Sequence, residues 1–159
     1  MTGVRTGIGW DSHRLVAGRP LILGGVTVPY DLGLDGHSDA DVLTHAVIDA
    51  LLGATGGDDI GTHFPDTDER WRGADSMALL AHVVAEIAAA GVRIVNVDTT
   101  VVMERPKLAP HRAAIRASLA AGLGVAPEDV NIKASTGEGL GFVGRGEGVA
   151  ALAVATVER

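Results

Sequence analysis

The sequence predicts a single-domain α/β protein of the α+β kind, with a mixed β-sheet covered by helices on one face. Three observations lead there. Short apolar runs suited to strands alternate with longer stretches of helical period. Of the 159 residues, 47% are hydrophobic, enough for one core without disulfide or metal staples. No repeat, linker or low-complexity tract divides the chain.

The elements follow in order. Residues 4–10 read as a first strand, and Leu21-Ile22-Leu23, Gly24-Gly25 and Val26-Thr27-Val28 read as a hairpin with a glycine turn. A polar loop through Gly36-His37-Ser38 leads into a helix over residues 39–53, whose apolar face is Val42, Leu43, Ala46, Val47, Ala50 and Leu51. Residues 56–73, rich in Gly, Asp and Thr, lack periodicity and read as an exposed, mobile loop. Asp75 or Ser76 then caps a helix carrying Met77, Leu80, Val83, Val84 and Ile87, which stops at Gly91. A strand follows over 92–103, Pro106-Lys107-Leu108 interrupts, and Pro110 opens a helix that Gly122 ends. Pro127-Glu128-Asp129 makes a turn, and residues 130–134 and 148–157 complete the strands.

Composition narrows the function. With 0 cysteines, disulfide frameworks, thiolate metal sites and thiol nucleophiles are excluded together. A formal net charge of −7 and only 3% aromatic residues argue against nucleic acid as a partner, which requires a basic surface and stacking rings. Neither a charged start followed by a long apolar run nor a membrane-length apolar stretch is present, so the chain reads as untargeted and cytoplasmic. Any anion it binds must be met by metal ions and a few local cations.

The chemistry concentrates at Asp11-Ser12-His13 and at His45. A period of two points Asp11 and His13 to the same side of the strand end. His45 lies one turn after Asp41 and one turn before Asp49, so the three form a polar stripe on an otherwise apolar helix. One carboxylate and two imidazoles leave a coordination position open, as catalytic zinc sites do, and Asp41 is a candidate for orienting an imidazole. Each feature alone is better explained by a solvated turn or a hydrogen-bonded helix histidine. The combination points to a metal.

Gly9-Trp10-Asp11-Ser12-His13, followed by His37-Ser38-Asp39-Ala40-Asp41-Val42-Leu43-Thr44-His45, resembles the 2-C-methyl-D-erythritol 2,4-cyclodiphosphate synthase family of the non-mevalonate isoprenoid pathway. Further blocks continue the likeness in order, among them Phe64-Pro65-Asp66-Thr67-Asp68, Asp129-Val130-Asn131-Ile132-Lys133-Ala134 and Gly141-Phe142-Val143-Gly144-Arg145. The resemblance implies an intramolecular reaction. The 2-phosphate of 4-diphosphocytidyl-2-C-methyl-D-erythritol 2-phosphate attacks the β-phosphorus, closing a cyclic diphosphate and expelling CMP. The substrate brings its own nucleophile, so the protein's work is positioning and charge neutralisation.

Carried over by position, the resemblance makes Asp11, His13 and His45 zinc ligands and Glu138 the carboxylate for a magnesium or manganese ion. His37 with Ser38 and Ser135 with Thr136 match phosphate-binding positions, His37 and Thr136 being implied transition-state stabilisers, and Ser12 and Gly137 are further implied substrate-binding positions. Asp59-Ile60-Gly61 and the stretch Phe64 to Asp68 are implied to hold the methylerythritol and its phosphates as a lid, and Asp49, on the helix face of His45, reads as lining the same pocket or as an outward solvated carboxylate. Met103-Glu104-Arg105-Pro106-Lys107-Leu108-Ala109, with Ala134 to Thr136, matches the cytidine pocket, where Lys107 supplies a cation. Phe142 and Arg145 are the last substrate-side matches. The family implies a homotrimer with sites between subunits and a central cavity able to take an isoprenoid diphosphate, and with no cytidylyltransferase domain attached the chain reads as the stand-alone form. Departures are Trp10, where many members have Phe, and the glycines at 137 and 139, where many have a lysine-containing run. On the residues alone a metal-dependent phosphohydrolase, or a binding module with a structural metal, stays open.

Overall fold

The computed structural model describes residues 3–159. In chain order the strands are β1 (Val4–Ala17), β2 (Leu21–Leu23), β3 (Val26–Val28), β4 (Leu32–Leu34), β5 (Arg93–Val102), β6 (Val130–Ser135) and β7 (Gly148–Glu158). The helices are α1 (Val42–Thr55), α2 (Ile60–His63), α3 (Ser76–Ala89), α4 (Arg112–Leu123) and α5 (Gly141–Gly144). Five strands form a mixed sheet in the order β4-β1-β7-β5-β6, and β2 and β3 pair as a separate hairpin. All neighbours in the large sheet are antiparallel except β5 and β6, which α4 connects as a parallel crossover. The result is one α+β domain. No helix among the described residues is long and apolar enough to cross a membrane.

α1 lies across β1 and β7, α4 covers β6, and α3 packs against both helices. The approach of α1 to β1 is set by two glycines. A Cβ on Gly9 would stand 1.8 Å from the Ala46 carbonyl oxygen, and one on Gly7 would stand 2.0 Å from that of Ala50. Any side chain there would lift the helix off the strand. Because the helix sits so low, Val42, Leu43, Ala46, Val47 and Ala50 are fully buried, and His45 is carried down onto the strand residues beside it. The opposite face of the sheet stays open, with Val4, Ile8, Trp10 and Val154 exposed and Ile8 directly across from Val154.

Several boundaries differ from the sequence expectation, each for a packing reason. β1 runs on through Asp11, Ser12 and His13, because β7 offers partners as far as Gly148, opposite Arg14. α1 passes through Gly53 and ends instead at Gly56, whose φ of 76° makes the left-handed cap. α4 likewise passes Gly122 and stops at Gly124, φ 70°. Gly122 is a packing residue: a Cβ there would come 2.8 Å from the Met77 side chain on α3. Residues 56–73 are folded rather than plain loop. They carry α2 and a 3-10 turn at Glu69–Trp71, with Phe64 buried and Gly73 N–H bonded to the His37 carbonyl at 2.7 Å. β4 and α5, three and four residues long, carry too little periodicity to be read in advance.

Candidate active site

β1 turns Asp11 and His13 toward α1, and α1 turns His45 toward them. His13 Nε2 lies 2.8 Å from Asp11 Oδ2, His45 Nδ1 lies 3.0 Å from the same oxygen, and the two ring nitrogens are 3.3 Å apart. The His13 Nδ1–H donates to the Asp35 carbonyl at 2.8 Å, so the Nε2 lone pair of the neutral ring faces Asp11. A lone pair and a carboxylate at that distance require a cation between them, either a proton or a metal ion. The 3.3 Å between the two ring nitrogens matches the second case. Ligands about 2.0 Å from a tetrahedral zinc stand about 3.3 Å from one another. This trio is the one cluster of His, Cys, Asp or Glu among the described residues with donor atoms gathered for a metal, all within 4.8 Å.

The electrostatics agree with a site built for positive charge. Burial alone would raise the Asp11 carboxyl, but hydrogen bonds with His13 and His45 and their charge outweigh it and hold its pKa at about 2. Burial would lower His13, and the Asp11 carboxylate instead raises it above its ordinary value.

A cleft of about 420 Å³ opens beside the trio. Its walls are Asp11, His13, Gly36, His37, Ser38 and His45 on one side and Ile60, Gly61, Phe64, Pro65, Asp66, Trp71 and Leu79 on the other. Arg19, a residue no motif singled out, holds the 36–38 wall by donating to the carbonyls of Gly36 at 2.9 Å and Ser38 at 2.7 Å. Asp49 anchors the facing segment, accepting from Ile60 N–H at 2.8 Å; burial raises its carboxyl. Asp59 caps α2 through Thr62, and Asp68 is paired with Arg70 while its carbonyl meets the His37 ring at 3.1 Å. Asp49, Asp59, Thr67 and Asp68 are thus not among the lining side chains.

Met103, Glu104, Pro106, Lys107, Leu108, Ala109, Arg112, Ala134, Ser135 and Thr136 line a second, separate cleft beyond the ends of β5 and β6. Asp11 is paired with Ala151, Ala151 with Val101, and Val101 with Ala134, so the two clefts sit on one rung of the sheet. Three strand spacings separate them, about 14 Å. Arg105 and Arg145 line a different hollow with Tyr30 and Glu104, Arg145 being paired with Glu147 at 2.7 Å. Phe142 stands near Ser12 and His13. Glu138 is exposed at a left-handed φ of 54°, its N–H on the Thr136 hydroxyl at 3.1 Å.

Asp41 does not orient an imidazole. It is fully buried as the N-cap of α1, where it accepts from Thr44 N–H and hydroxyl and from the N–H groups of Gly24 and Gly25 at 2.7–3.0 Å. Turned toward the hairpin, it clasps β2 and β3 to the helix start. The outer nitrogen of His45 instead lies 2.8 Å from Ser76 Oγ, a residue the sequence marked only as a helix cap.

A profile of the YgbB family matches residues 4–158 of this chain. The chain belongs to the YgbB family. Among its members, a protein of Laribacter hongkongensis called 2-C-methyl-D-erythritol 2,4-cyclodiphosphate synthase is 59% identical over 155 residues, covering 98% of this chain and 96% of the relative. A namesake from Salinibacter ruber is also 59% identical, with 98% and 99% covered. Solved YgbB-family structures share the fold. The bifunctional IspDF of Campylobacter jejuni superposes with a TM-score of 0.96 at 39% identity, over 99% of this chain and 43% of that one. The IspF CDP complex of Plasmodium falciparum gives 0.86 at 30% identity, over 98% and 96%.

Proposed function

We propose that the chain catalyses the cyclisation of 4-diphosphocytidyl-2-C-methyl-D-erythritol 2-phosphate to 2-C-methyl-D-erythritol 2,4-cyclodiphosphate with release of CMP, a phosphorus–oxygen lyase reaction of isoprenoid biosynthesis. The observation that carries this reading is the convergence of Asp11, His13 and His45 on one point of a cleft wall in a YgbB-family chain.

Asp11, His13 and His45 would hold a zinc-like ion, which when bound supplies Lewis-acid charge and a fixed point for a phosphoryl oxygen. Glu138 is the proposed carboxylate for a magnesium or manganese ion on the diphosphate. The remaining work falls to the chain itself. The His37 ring and the Ser38 hydroxyl, held by Arg19, present donors to the phosphate that attacks, and Ser135 and Thr136 present hydroxyls to the diphosphate. Ile60, Phe64, Trp71 and Leu79 exclude water from the methylerythritol side. Backbone groups of residues 103–109 would read the cytosine edge, with Lys107 beside the phosphates. The Plasmodium relative is described as a CDP complex, which supports a cytidine nucleotide ligand here.

Assembly as a homotrimer with each site between two subunits follows from the same reading. The metal-side and cytidine-side clefts lie about 14 Å apart on one chain, and the apolar outer face of β1 and β7 would be covered by neighbouring copies. A central cavity at that face would take an isoprenoid diphosphate, with Arg145 a contact. Phosphorus NMR of the purified protein with the substrate tests the activity: a cyclic diphosphate and CMP are expected, while a linear phosphate with solvent oxygen incorporated would mean hydrolysis instead.

A further inference from the structure

We propose that Asp39 and Ser76 are positioning residues that select which nitrogen of His45 faces the metal position. The inference rests on the reading of Asp11, His13 and His45 as metal ligands. A neutral imidazole carries one proton, so His45 can present a lone pair from Nδ1 only if the proton sits on Nε2. Nothing on β1 or α1 enforces that choice.

The enforcement comes from 31 residues further along. Ser76, fully buried as the first residue of α3, places its Oγ 2.8 Å from His45 Nε2. That hydroxyl has one proton, and it goes to Asp39, whose Oδ1 makes a short hydrogen bond with Ser76 Oγ. Asp39 is itself locked: its carboxylate accepts from Ser76 N–H at 3.0 Å and Asp41 N–H at 3.1 Å, and its own N–H donates to the Ala74 carbonyl at 3.0 Å. An ionised carboxylate only accepts, so the polarity of the chain is fixed from its end. Ser76 donates to Asp39 and can only accept from His45. The proton of His45 therefore stays on Nε2, and the Nδ1 lone pair points at Asp11 Oδ2 and His13 Nε2. In metal proteins a carboxylate commonly touches the ligating histidine directly. Here a serine stands between them.

A competing hydroxyl makes the arrangement testable. Ser38 Oγ lies 3.2 Å from the same Nε2 and already accepts from Ala40 N–H, so its own proton is free to point at His45. With Ser76 reduced to alanine, Ser38 becomes the neighbour that decides, and a donated proton from it favours the tautomer with Nδ1–H toward the metal position. With Asp39 reduced to alanine, the Ser76 hydroxyl loses its acceptor and can turn to donate to His45 itself.

The experiment is the affinity of the purified protein for Zn(II) and Co(II), read by competition with a chromogenic chelator. Ser76→Ala is expected to weaken binding roughly 10–100-fold, with Ser76→Thr recovering most of it because the hydroxyl is retained. Asp39→Ala should weaken it at least as much. The Asp39→Ala/Ser76→Ala double variant should bind no more weakly than Ser76→Ala alone, since without the Ser76 hydroxyl Asp39 no longer acts on His45 and Ser38 decides in both. Affinity for Ser76→Ala within about twofold of the parent, equal losses for Ser76→Ala and Ser76→Thr, or additive losses in the double variant would each overturn the relay. If Asp39→Ala does not fold, the alanine and threonine variants of Ser76 decide alone. A parent protein that binds neither ion overturns the metal-centre reading itself, a result distinct from failure of the relay.

Discussion

The cleft around Asp11, His13 and His45 and the cleft around Lys107 and Thr136 stand on the same sheet but are held by different means. In the first, the donors project from the middle of β1 and from a buried turn of α1, and their free nitrogens are tied to Asp35 and Ser76. In the second, Lys107 and Thr136 sit on loops past the ends of β5 and β6 and Ser135 is the last residue of β6, all three exposed, with Ser135 and Thr136 bonded to backbone of their own turn. Core packing preorganises one half. The other awaits its ligand and, on the proposed assembly, a neighbouring subunit. Damage to the first should therefore register in stability and metal content as well as turnover, and damage to the second in turnover alone.

The largest effect that would sharpen this contrast is Gly9→Ala. A methyl group 1.8 Å from the Ala46 carbonyl must push α1 away from β1, at about 3 kcal/mol or more, the upper range for overpacking. Thermal unfolding and metal analysis should both report the loss; a variant with parental stability and full metal would show that α1 has slack. His45→Ala should come next. It removes one of the three proposed ligands, so bound metal should fall steeply and cyclisation by roughly 10³-fold, matching several kcal/mol of lost charge stabilisation. Thr136→Ala is expected to lower kcat by roughly 10–100-fold while shifting stability by no more than about 0.5 kcal/mol. A large drop in melting temperature would break the comparison. Lys107→Ala should raise KM up to about tenfold, as for one charged contact to phosphate, with kcat little changed and no loss of metal.

The smallest effect concerns pH in the metal-free protein. The Asp11 pKa is about 2 in the folded chain against 3.8 as a free side chain, so its contribution, on the order of 2 kcal/mol, is present above pH 3.8 and disappears as pH falls through 2. His13 is raised, so its share is complete below 6.5 and fades as pH rises through its folded value. Chelated protein should melt highest between these limits and lose a few degrees toward pH 8. Asp11→Asn should flatten both limbs; an unchanged profile would show that the pair does not govern them.

Much of this was legible in the amino-acid order. The β-rich opening, the helix bearing His45, the glycine-turned hairpin and the Asp11, His13 and His45 set all follow from periodicity and residue chemistry, which are local properties. Where local signals misled, the cause was packing. Gly53 and Gly122 read as helix ends, yet they sit inside helices, Gly122 where α4 meets Met77. Asp41 read as a partner for an imidazole because it is one turn from His45, but in the structure its side chain caps the helix and holds the hairpin.

By itself, then, the sequence determined the kinds of element, the residue types available for a metal and a phosphate, and the family. Only the tertiary structure decided that Ser76 and Asp39 stand behind His45, that Arg19 holds the wall of His37 and Ser38, and that the residues around Lys107 and Thr136 occupy a cleft of their own. The reason is physical. Spacing along a chain specifies which side of a strand or helix a residue takes, whereas the partner across 31 or 37 positions is chosen by how closely helices and sheet can approach.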